Sequence, residues 1–320
     1  MTDIATTTET AARVLDQVEQ VVVGKRASLE LVLAAVLAGG HVLLEDNPGL
    51  GKTLAARSLA QSLGLEFKRA QFTPDLLPAD LTGAYIYDQA KGEFAFRHGP
   101  VFTGLLLADE VNRTPPKTQA ALLEAMQERQ VTIEGHTFAL PEPFHVIATA
   151  NPVEYEGTYP LPEAQLDRFL ARVSFGYPSA EQELDVLQRR IARRQEAVEL
   201  PAVTDATGLL AMQQVVEQVA VETSVQKYCV DLTTATRSHP QLMLGASPRG
   251  SLALMLLARA IAVIRGRDFV SPEDVKRVAV AVLGHRVTVK PELWMANVAG
   301  AGVVRALLDT VPAPQALHGT

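Results

Sequence analysis

The sequence predicts an α/β protein with a doubly wound parallel sheet, followed by a C-terminal all-helical domain. Two patterns carry this prediction. Short apolar runs alternate with helical patterns in the first two-thirds of the chain, and consecutive amphipathic helices follow Pro178. With 320 residues, 48% of them hydrophobic, the chain is long enough to bury a core and to form two domains.

Five apolar runs are predicted as strands of the parallel sheet. They lie at 41–45, 66–72, 105–109, 144–150 and 171–175. Strands that alternate with helices form parallel sheets covered on both faces. The predicted helices of the C-terminal domain lie at 180–194, 204–219, 223–238, 248–267 and 272–283.

A phosphate-binding loop is predicted between the first strand and the helix that follows it. Residues 45–53 read Glu-Asp-Asn-Pro-Gly-Leu-Gly-Lys-Thr. Backbone N–H groups of such a loop bind phosphate oxygens, while a lysine reaches the outer phosphates and a hydroxyl reaches Mg²⁺. Lys52 and Thr53 suit these two roles. The candidate cofactor-binding residues of this segment are Asn47, Pro48, Gly49, Leu50, Gly51, Lys52, Thr53 and Leu54.

The loop departs from the usual pattern G-x-x-x-x-G-K-[ST], because Asp46 stands where the first glycine is expected. The effect of Asp46 and Asn47 on the loop geometry is left open by the sequence. A lone Gly-Lys-Thr also occurs by chance, so a second element is required.

That element is the apolar run Leu105–Ala108, which ends in the adjacent carboxylates Asp109 and Glu110. It is typical of a Walker B strand, in which Asp109 would hold Mg²⁺ and Glu110 would polarise a water for attack on the γ-phosphate. The alternative is a buried strand that runs into a solvated acidic turn. The preceding strand, loop and helix favour the first interpretation.

Composition excludes several other classes. The net charge is −7, which argues against a general nucleic-acid binder. The single cysteine, Cys229, cannot form an intrachain disulfide, and the seven histidines lack metal-ligand spacing. Residues 1–13 lack the apolar segment of a signal peptide, and no apolar run reaches membrane-spanning length. We therefore expect a cytoplasmic protein without membrane insertion.

Two β-hairpins are predicted inside the α/β region, at about 82–97 and 129–141, from alternating apolar residues around glycine-containing turns. A break between the α/β pattern and the consecutive helices is predicted at 176–178. The chain is therefore predicted to consist of an N-terminal helical segment at 1–20, a nucleotide-binding domain at 21–177, a helical lid at 178–312 and a flexible tail at 313–320.

The run that begins at Asp109-Glu110-Val111-Asn112-Arg113 and continues to Glu128 resembles the MoxR family of AAA+ ATPases, in the helix-2-insert clade. Three later segments are similar to motifs of the same family, in the same order. Ala148–Pro152 resembles its sensor-1 strand end, Leu161–Phe169 its arginine-finger segment, and Gly245–Arg249 its sensor-2 helix start.

The resemblance implies a role for several further residues. Asn151 would hydrogen-bond the attacking water or the γ-phosphate, and Arg168 would reach the nucleotide of a neighbouring subunit. Arg249 would contact the γ-phosphate in cis, and Val23 with Gly24 would pack on adenine. The alternatives are an Asn-Pro turn for Asn151, an ion pair with Asp167 or Glu163 for Arg168, a surface position for Arg249 and a capping turn for Val23-Gly24.

The resemblance also implies ATP and Mg²⁺ as cofactors, a homo-oligomer in the form of a hexameric ring, and protein clients remodelled in a chaperone-like manner. One implied partner is a protein with a von Willebrand A domain. Two other classes stay open, a nucleic-acid motor and a nucleotide-gated binding module with little turnover. The regions of the two hairpins, 72–104 and 127–145, each carry a net charge of −2, which disfavours contact with a phosphate backbone.

Overall fold

The computed structural model describes residues 3–90, 92–152, 158–195, 198–296 and 298–314. Its strands are β1 (Val42–Glu45), β2 (Phe67–Gln71), β3 (Gly83–Asp88), β4 (Glu93–His98), β5 (Leu105–Asp109), β6 (Gln130–Ile133), β7 (His136–Ala139), β8 (His145–Ala150), β9 (Ala171–Val173), β10 (Leu242–Leu244) and β11 (Thr288–Val289). Its helices are α1 (Ile4–Glu19), α2 (Arg26–Leu37), α3 (Lys52–Ser62), α4 (Pro78–Thr82), α5 (Pro116–Glu128), α6 (Glu163–Leu166), α7 (Ala180–Arg193), α8 (Ala206–Glu217), α9 (Thr223–Arg237), α10 (Pro248–Ile264), α11 (Pro272–Leu283) and α12 (Gly300–Thr310).

The central sheet has five parallel strands in the order β2-β5-β8-β1-β9. All five predicted strands are present, so the predicted doubly wound fold is confirmed. The side chains of β5 alternate between two cores, as the period of a strand requires. Leu105 and Leu107 join a core with helices α1 to α3, whereas Leu106 and Ala108 join a second core with α5.

The C-terminal region is helical, as predicted. Its helices α8 to α11 bury their apolar faces in the core that also covers one side of the sheet. Helix α1 contributes Ala11, Val14 and Leu15 to that same core. The sequence did not predict the short antiparallel pair β10–β11 within the helical region. The division of the chain into four parts stays a prediction, and most of the expected tail (313–320) lies outside the described residues.

Two antiparallel hairpins, β3–β4 and β6–β7, project from the α/β region. They contact each other through the stacked rings of Phe96 and Phe138, whose centroids are 4.2 Å apart. Three large apolar side chains of the first hairpin are exposed, Ile86, Tyr87 and Phe94. Within the described ranges, no helix is long and apolar enough to cross a membrane.

Two buried histidines join the amino ends of the central strands. His41 Nδ1 accepts a hydrogen bond from the backbone N–H of Val146 (2.9 Å), so its Nε2 carries the proton donated to Met126 O (3.1 Å). Burial lowers the pKa of His41 to about 3 and that of His145 to about 4. Both imidazoles are therefore neutral in the folded protein at neutral pH.

We expect the free energy of unfolding to fall on acidification already at pH values above those at which carboxylates titrate. The unfolded chain binds protons on these histidines near pH 6.5, whereas the folded chain does not, so stability is complete above that pH and falls below it. Between pH 7 and pH 5, the free energy of unfolding should fall by about 2 kcal/mol per histidine. Urea unfolding at the two pH values measures this difference, and equal stabilities would contradict it.

Candidate nucleotide-binding site

The phosphate loop spans residues 46–51, between the carboxyl end of β1 and the amino end of α3. Gly49 and Gly51 have φ angles of +82° and +84°. A Cβ atom at either position would meet no atom within 4 Å, so the left-handed backbone, and not lack of space, requires glycine. The loop N–H groups lie at the start of an 11-residue helix, where an anion is stabilised.

The Lys52 ammonium lies across the loop. Its Nζ atom donates to Asp46 O at 2.5 Å and approaches Ala150 O at 3.5 Å. Burial lowers the pKa of Lys52 below its usual value, while the carboxylates of Asp46, Asp109 and Glu110 act in the opposite direction. This is a half-buried cation held between the phosphate loop and the end of β8.

The structure gives Asp46 a definite role. Its buried carboxylate accepts hydrogen bonds from Ser174 Oγ (2.8 Å) and from the backbone N–H groups of Phe175 and Gly176. Next to it, Asn47 Nδ2 donates to Tyr177 Oη at 3.1 Å. Asp46, which departs from the usual pattern, and its neighbour Asn47 therefore tie the phosphate loop to the segment between β9 and α7.

Replacing Asp46 by alanine should destabilise the protein. The backbone N–H groups of Phe175 and Gly176 would lose their charged acceptor, at a cost of about 1–3 kcal/mol for buried groups left unpaired. Thermal and urea unfolding measure this loss. Ser174→Ala is the matched control, because it removes one hydroxyl donor and leaves the carboxylate with both N–H groups. An Asp46→Ala protein as stable as Ser174→Ala would show that the carboxylate is not an anchor.

The acidic pair lies at the end of β5, and both side chains are held by neighbours. Asp109 accepts from Thr149 Oγ1 (2.5 Å) and from Arg69 Nη2 (2.7 Å). Glu110 has a φ of +59°, a left-handed conformation that is strained for a residue with a side chain. Its Oε2 accepts from Gln71 Nε2 (2.7 Å) and from Arg113 Nη1 (3.0 Å).

Sequence reasoning missed the residues that orient this pair. Thr149 contacts both members, since its Oγ1 also accepts from the backbone N–H of Glu110 at 2.8 Å. Arg69 and Gln71 come from β2, whose register places Gln71 opposite Asp109. The sequence does show that Arg69 and Gln71 are polar and two positions apart, as residues on one face of a strand are. Only the pairing of β2 with β5 shows what they contact.

One cavity of about 360 Å³ brings the predicted phosphate and acidic residues together. It is lined by Pro48, Gly49, Gly51, Lys52, Thr53, Leu54, Asp109, Glu110, Thr149 and Asn151. These residues come from the carboxyl ends of β1, β5 and β8, at one edge of the sheet, where α/β proteins bind ligands.

Asn151 is buried at the end of β8, and its backbone carbonyl accepts a hydrogen bond from Asn112 Nδ2 at 3.1 Å. The hydroxyl of Thr53 and the carboxylate of Asp109 line the same cavity and are both hard oxygen donors. Mg²⁺ takes few protein ligands and completes its octahedron with phosphate oxygens and waters. The donor set therefore fits this ion. Among the described residues, no cluster of three or more His, Cys, Asp or Glu side chains offers an alternative metal site.

Two predicted residues of the phosphate loop, Asn47 and Leu50, do not line this cavity, and four further predicted residues lie outside the loop. Val23 and Gly24 lie in the turn before α2, where a Cβ atom on Gly24 would meet the Gln182 side chain of α7 at 2.2 Å. Arg168 and Arg249 line a second cavity, of about 340 Å³, together with Gly40 and His41. Gly40 and His41 precede β1, so this second cavity lies at the opposite edge of the sheet.

The structure does not bring Arg249 to the phosphate loop of its own chain, which the predicted contact with the γ-phosphate in cis requires. Helix α10 begins at the amino ends of the strands, whereas the phosphate loop lies at their carboxyl ends. Among the described residues, neither alternative ion pair of Arg168, with Asp167 or with Glu163, is formed. Asp167 pairs with Arg286 at 2.7 Å. Instead, Arg168 Nη1 donates to Leu123 O at 2.7 Å.

Comparisons with known proteins agree with the fold of the chain. A family model described as "ATPase family associated with various cellular activities (AAA)" matches residues 41–171, and an "AAA lid domain" model matches residues 234–303. Among curated proteins, the chain is 49% identical to "Uncharacterized protein YeaC" of Bacillus subtilis, over 94% of both chains. It is 42% identical to "Chaperone MoxR1" of Mycobacterium tuberculosis, over 98% of this chain and 84% of that protein.

Among solved structures, a candidate ATPase of Cytophaga hutchinsonii matches with a TM-score of 0.90 and 40% identity. The match covers 98% of this chain and 97% of that one. Both parts of the fold, the sheet with its phosphate loop and the helical region, therefore have a counterpart in one known structure.

Proposed function

Because the chain belongs to the MoxR family of AAA+ ATPases, we propose that it binds Mg-ATP in the phosphate-loop cavity and hydrolyses it. The observation that carries this proposal is the meeting of Lys52, Glu110 and Asn151 in one cavity, from the ends of three neighbouring strands. Each group has a chemistry that the hydrolysis of a phosphoanhydride requires.

The proposed roles follow from charge and position. The loop N–H groups and Lys52 bind the phosphates, and Thr53 with Asp109 holds Mg²⁺. Glu110 accepts a proton from the attacking water, and the neutral amide of Asn151 orients that water or the γ-phosphate. Val23 and Gly24 are proposed to pack on adenine, because they lie beside the segment that Asp46 and Asn47 bind.

We assign Arg168 and Arg249 to the nucleotide of a neighbouring subunit. Both lie at the edge of the sheet opposite their own phosphate loop, and a guanidinium there cannot reach its own nucleotide. In a head-to-tail ring each subunit presents one edge to the next, so every phosphate loop receives the arginines of a neighbour. The proposed assembly is a hexameric ring in the cytoplasm.

The proposed clients are proteins, remodelled during the maturation or assembly of complexes. Two observations support protein over nucleic acid. The first hairpin exposes Ile86, Tyr87 and Phe94, and the net charge of its region is −2. Apolar contact without positive charge suits a polypeptide, whereas a phosphate backbone requires basic loops. The similarity to a protein named "Chaperone MoxR1" also favours protein clients. The proposed partner is a protein with a von Willebrand A domain, which the family resemblance implies.

Steady-state Mg-ATP hydrolysis per subunit, measured over a wide range of protein concentration, tests the proposal. A shared site predicts that hydrolysis per subunit rises steeply as the ring assembles. Lys52→Ala is the control for contaminating ATPases, because it removes the cation that binds the phosphates. Its ATP affinity, measured by calorimetry, should fall at least about tenfold.

Absence of hydrolysis at every concentration, with ATP still bound, would overturn the enzymatic part and favour a nucleotide-gated binding module. Constant hydrolysis by a species that sediments as a monomer would overturn the shared site. A gel shift with nanomolar affinity for DNA or RNA would overturn the assignment of protein clients.

A further inference from the structure

Helix α7 presents its apolar side chains to solvent. Leu184, Leu187 and Ile191, called here the α7 stripe, recur with the spacing i, i+3, i+7 and so share one face. They are 55%, 57% and 75% exposed, and no residue of this helix is buried. The helix itself is well defined, since Ser179 and Gln182 form a capping box at its start.

The polar face of α7 is the one that contacts the body of the protein. Arg189 Nη1 donates to the carbonyls of Glu19 (2.9 Å) and Gln20 (3.0 Å), and its guanidinium pairs with Asp185 at 2.7 Å. Two turns before Arg189 on the same face, Gln182 packs against Gly24. A surface helix ordinarily buries its apolar face and exposes its polar one. In α7 this orientation is reversed, so the stripe is available to another surface.

The amino end of α7 is held close to the phosphate loop. The chain enters α7 through residues 174–177, which Asp46 binds through its carboxylate and Asn47 through Tyr177. Tyr177 is itself 73% exposed. A surface that approaches the phosphate loop from outside therefore also comes close to the start of α7.

The proposed nucleotide site indicates which surface approaches the phosphate loop. The site is incomplete without a second copy, because Arg168 and Arg249 lie at the far edge of their own sheet. The face of the second copy that carries the two arginines also exposes an apolar residue. Leu252, one turn beyond Arg249 on the same side of α10, is 53% exposed and lines the same cavity.

We infer that the α7 stripe docks a second copy of this chain, on the face that carries Arg168, Arg249 and Leu252. This inference rests on the proposed function and deepens it by naming the apolar contact that brings the arginines to the neighbouring nucleotide. Assembly and hydrolysis are then linked, because the helix that holds the neighbour begins next to the phosphate loop.

The test is the double variant Leu187→Glu/Ile191→Glu, with sedimentation, hydrolysis and ATP binding measured together. Both side chains are exposed, so folding should be unchanged, and the melting temperature checks this. We expect the dissociation constant of the assembly to rise at least about 100-fold, since two desolvated carboxylates replace two apolar contacts. Hydrolysis per subunit should fall with it, while the ATP affinity of the single subunit is retained. Val230→Glu on α9, at a site 50% exposed, is the matched control.

A second measurement locates the contact. In Ile191→Cys, maleimide labelling should slow as protein concentration rises, whereas labelling of Val230→Cys should not. The native Cys229 does not compete, because it is buried and burial raises the pKa of its thiol to about 12.

The outcomes separate this inference from the proposed function. A wild-type protein that sediments as a monomer and hydrolyses ATP at a rate per subunit independent of concentration contradicts the shared site before any variant is made. If the wild type assembles and the double variant assembles and hydrolyses equally well, the ring stands and the stripe serves another partner, which overturns this inference alone. Unchanged labelling of Ile191→Cys in the assembled protein would do the same.

Discussion

Replacing Glu110 by glutamine should abolish ATP hydrolysis and leave ATP binding intact. The amide has nearly the same size as the carboxylate but cannot accept a proton from the attacking water. Because Glu110 lies at the wall of the cavity and not in the phosphate loop, the loss should appear in kcat. We expect a fall of at least about 100-fold in kcat with an unchanged affinity for ATP.

Single-turnover hydrolysis and calorimetry with ATP measure the two effects separately. Glu199→Gln, an exposed glutamate outside the cavity, is the matched control for loss of one negative charge. The Glu110→Gln substitution also removes the negative charge from the acceptor of Arg113 and Gln71, so the melting temperature of this variant should be compared with that of the wild type. A Glu110→Gln protein that hydrolyses ATP at the wild-type rate would remove the proposed base.

Replacing Arg168 by alanine should allow ATP to bind and reduce hydrolysis by about 10³-fold, the effect typical of a guanidinium that stabilises a transferring phosphoryl group. Because this arginine lies away from its own phosphate loop, its loss should affect the neighbouring site. Arg305→Ala, on the exposed face of α12, is the control for removal of an arginine.

Mixing subunits distinguishes a shared site from a local defect. An Arg168→Ala subunit keeps Glu110, and a Glu110→Gln subunit keeps Arg168. A junction is therefore complete when the first subunit supplies the phosphate loop with Glu110 and the second supplies Arg168. With random mixing at equal amounts, about a quarter of the junctions should be active in a head-to-tail ring. If mixed rings form, as shown by co-purification of differently tagged subunits, and no activity returns, then Arg168 does not act across the interface.

Several features of this site could be predicted from local sequence. The phosphate loop is one, because the positive φ angles of Gly49 and Gly51 are available mainly to glycine and leave a signature in a few residues. The acidic strand end is another, since five buried residues ending in Asp109 mark a central strand and its carboxyl edge. Both depend on backbone conformation over short stretches, which side-chain identity controls directly.

The contacts of Asp46 could not be predicted in this way. The sequence shows only that an acidic residue replaces a glycine, and its partners Ser174 and Gly176 lie about 130 positions later in the chain. Arg69 and Gln71 are similar cases, because they reach the acidic pair only through the pairing of β2 with β5. In each case the partner is chosen by strand order, which no local pattern encodes.

The sequence by itself determined the fold class, most of the residues that line the phosphate cavity and the family to which the chain belongs. Only the tertiary structure decided that Arg249 lies with Arg168 at the far edge of the sheet, and that α7 turns its polar face inward. The physical reason is that periodicity specifies which residues of an element share a face, whereas the packing of distant elements specifies what that face meets. That packing leaves the α7 stripe exposed and the two arginines at the edge of the sheet opposite the phosphate loop.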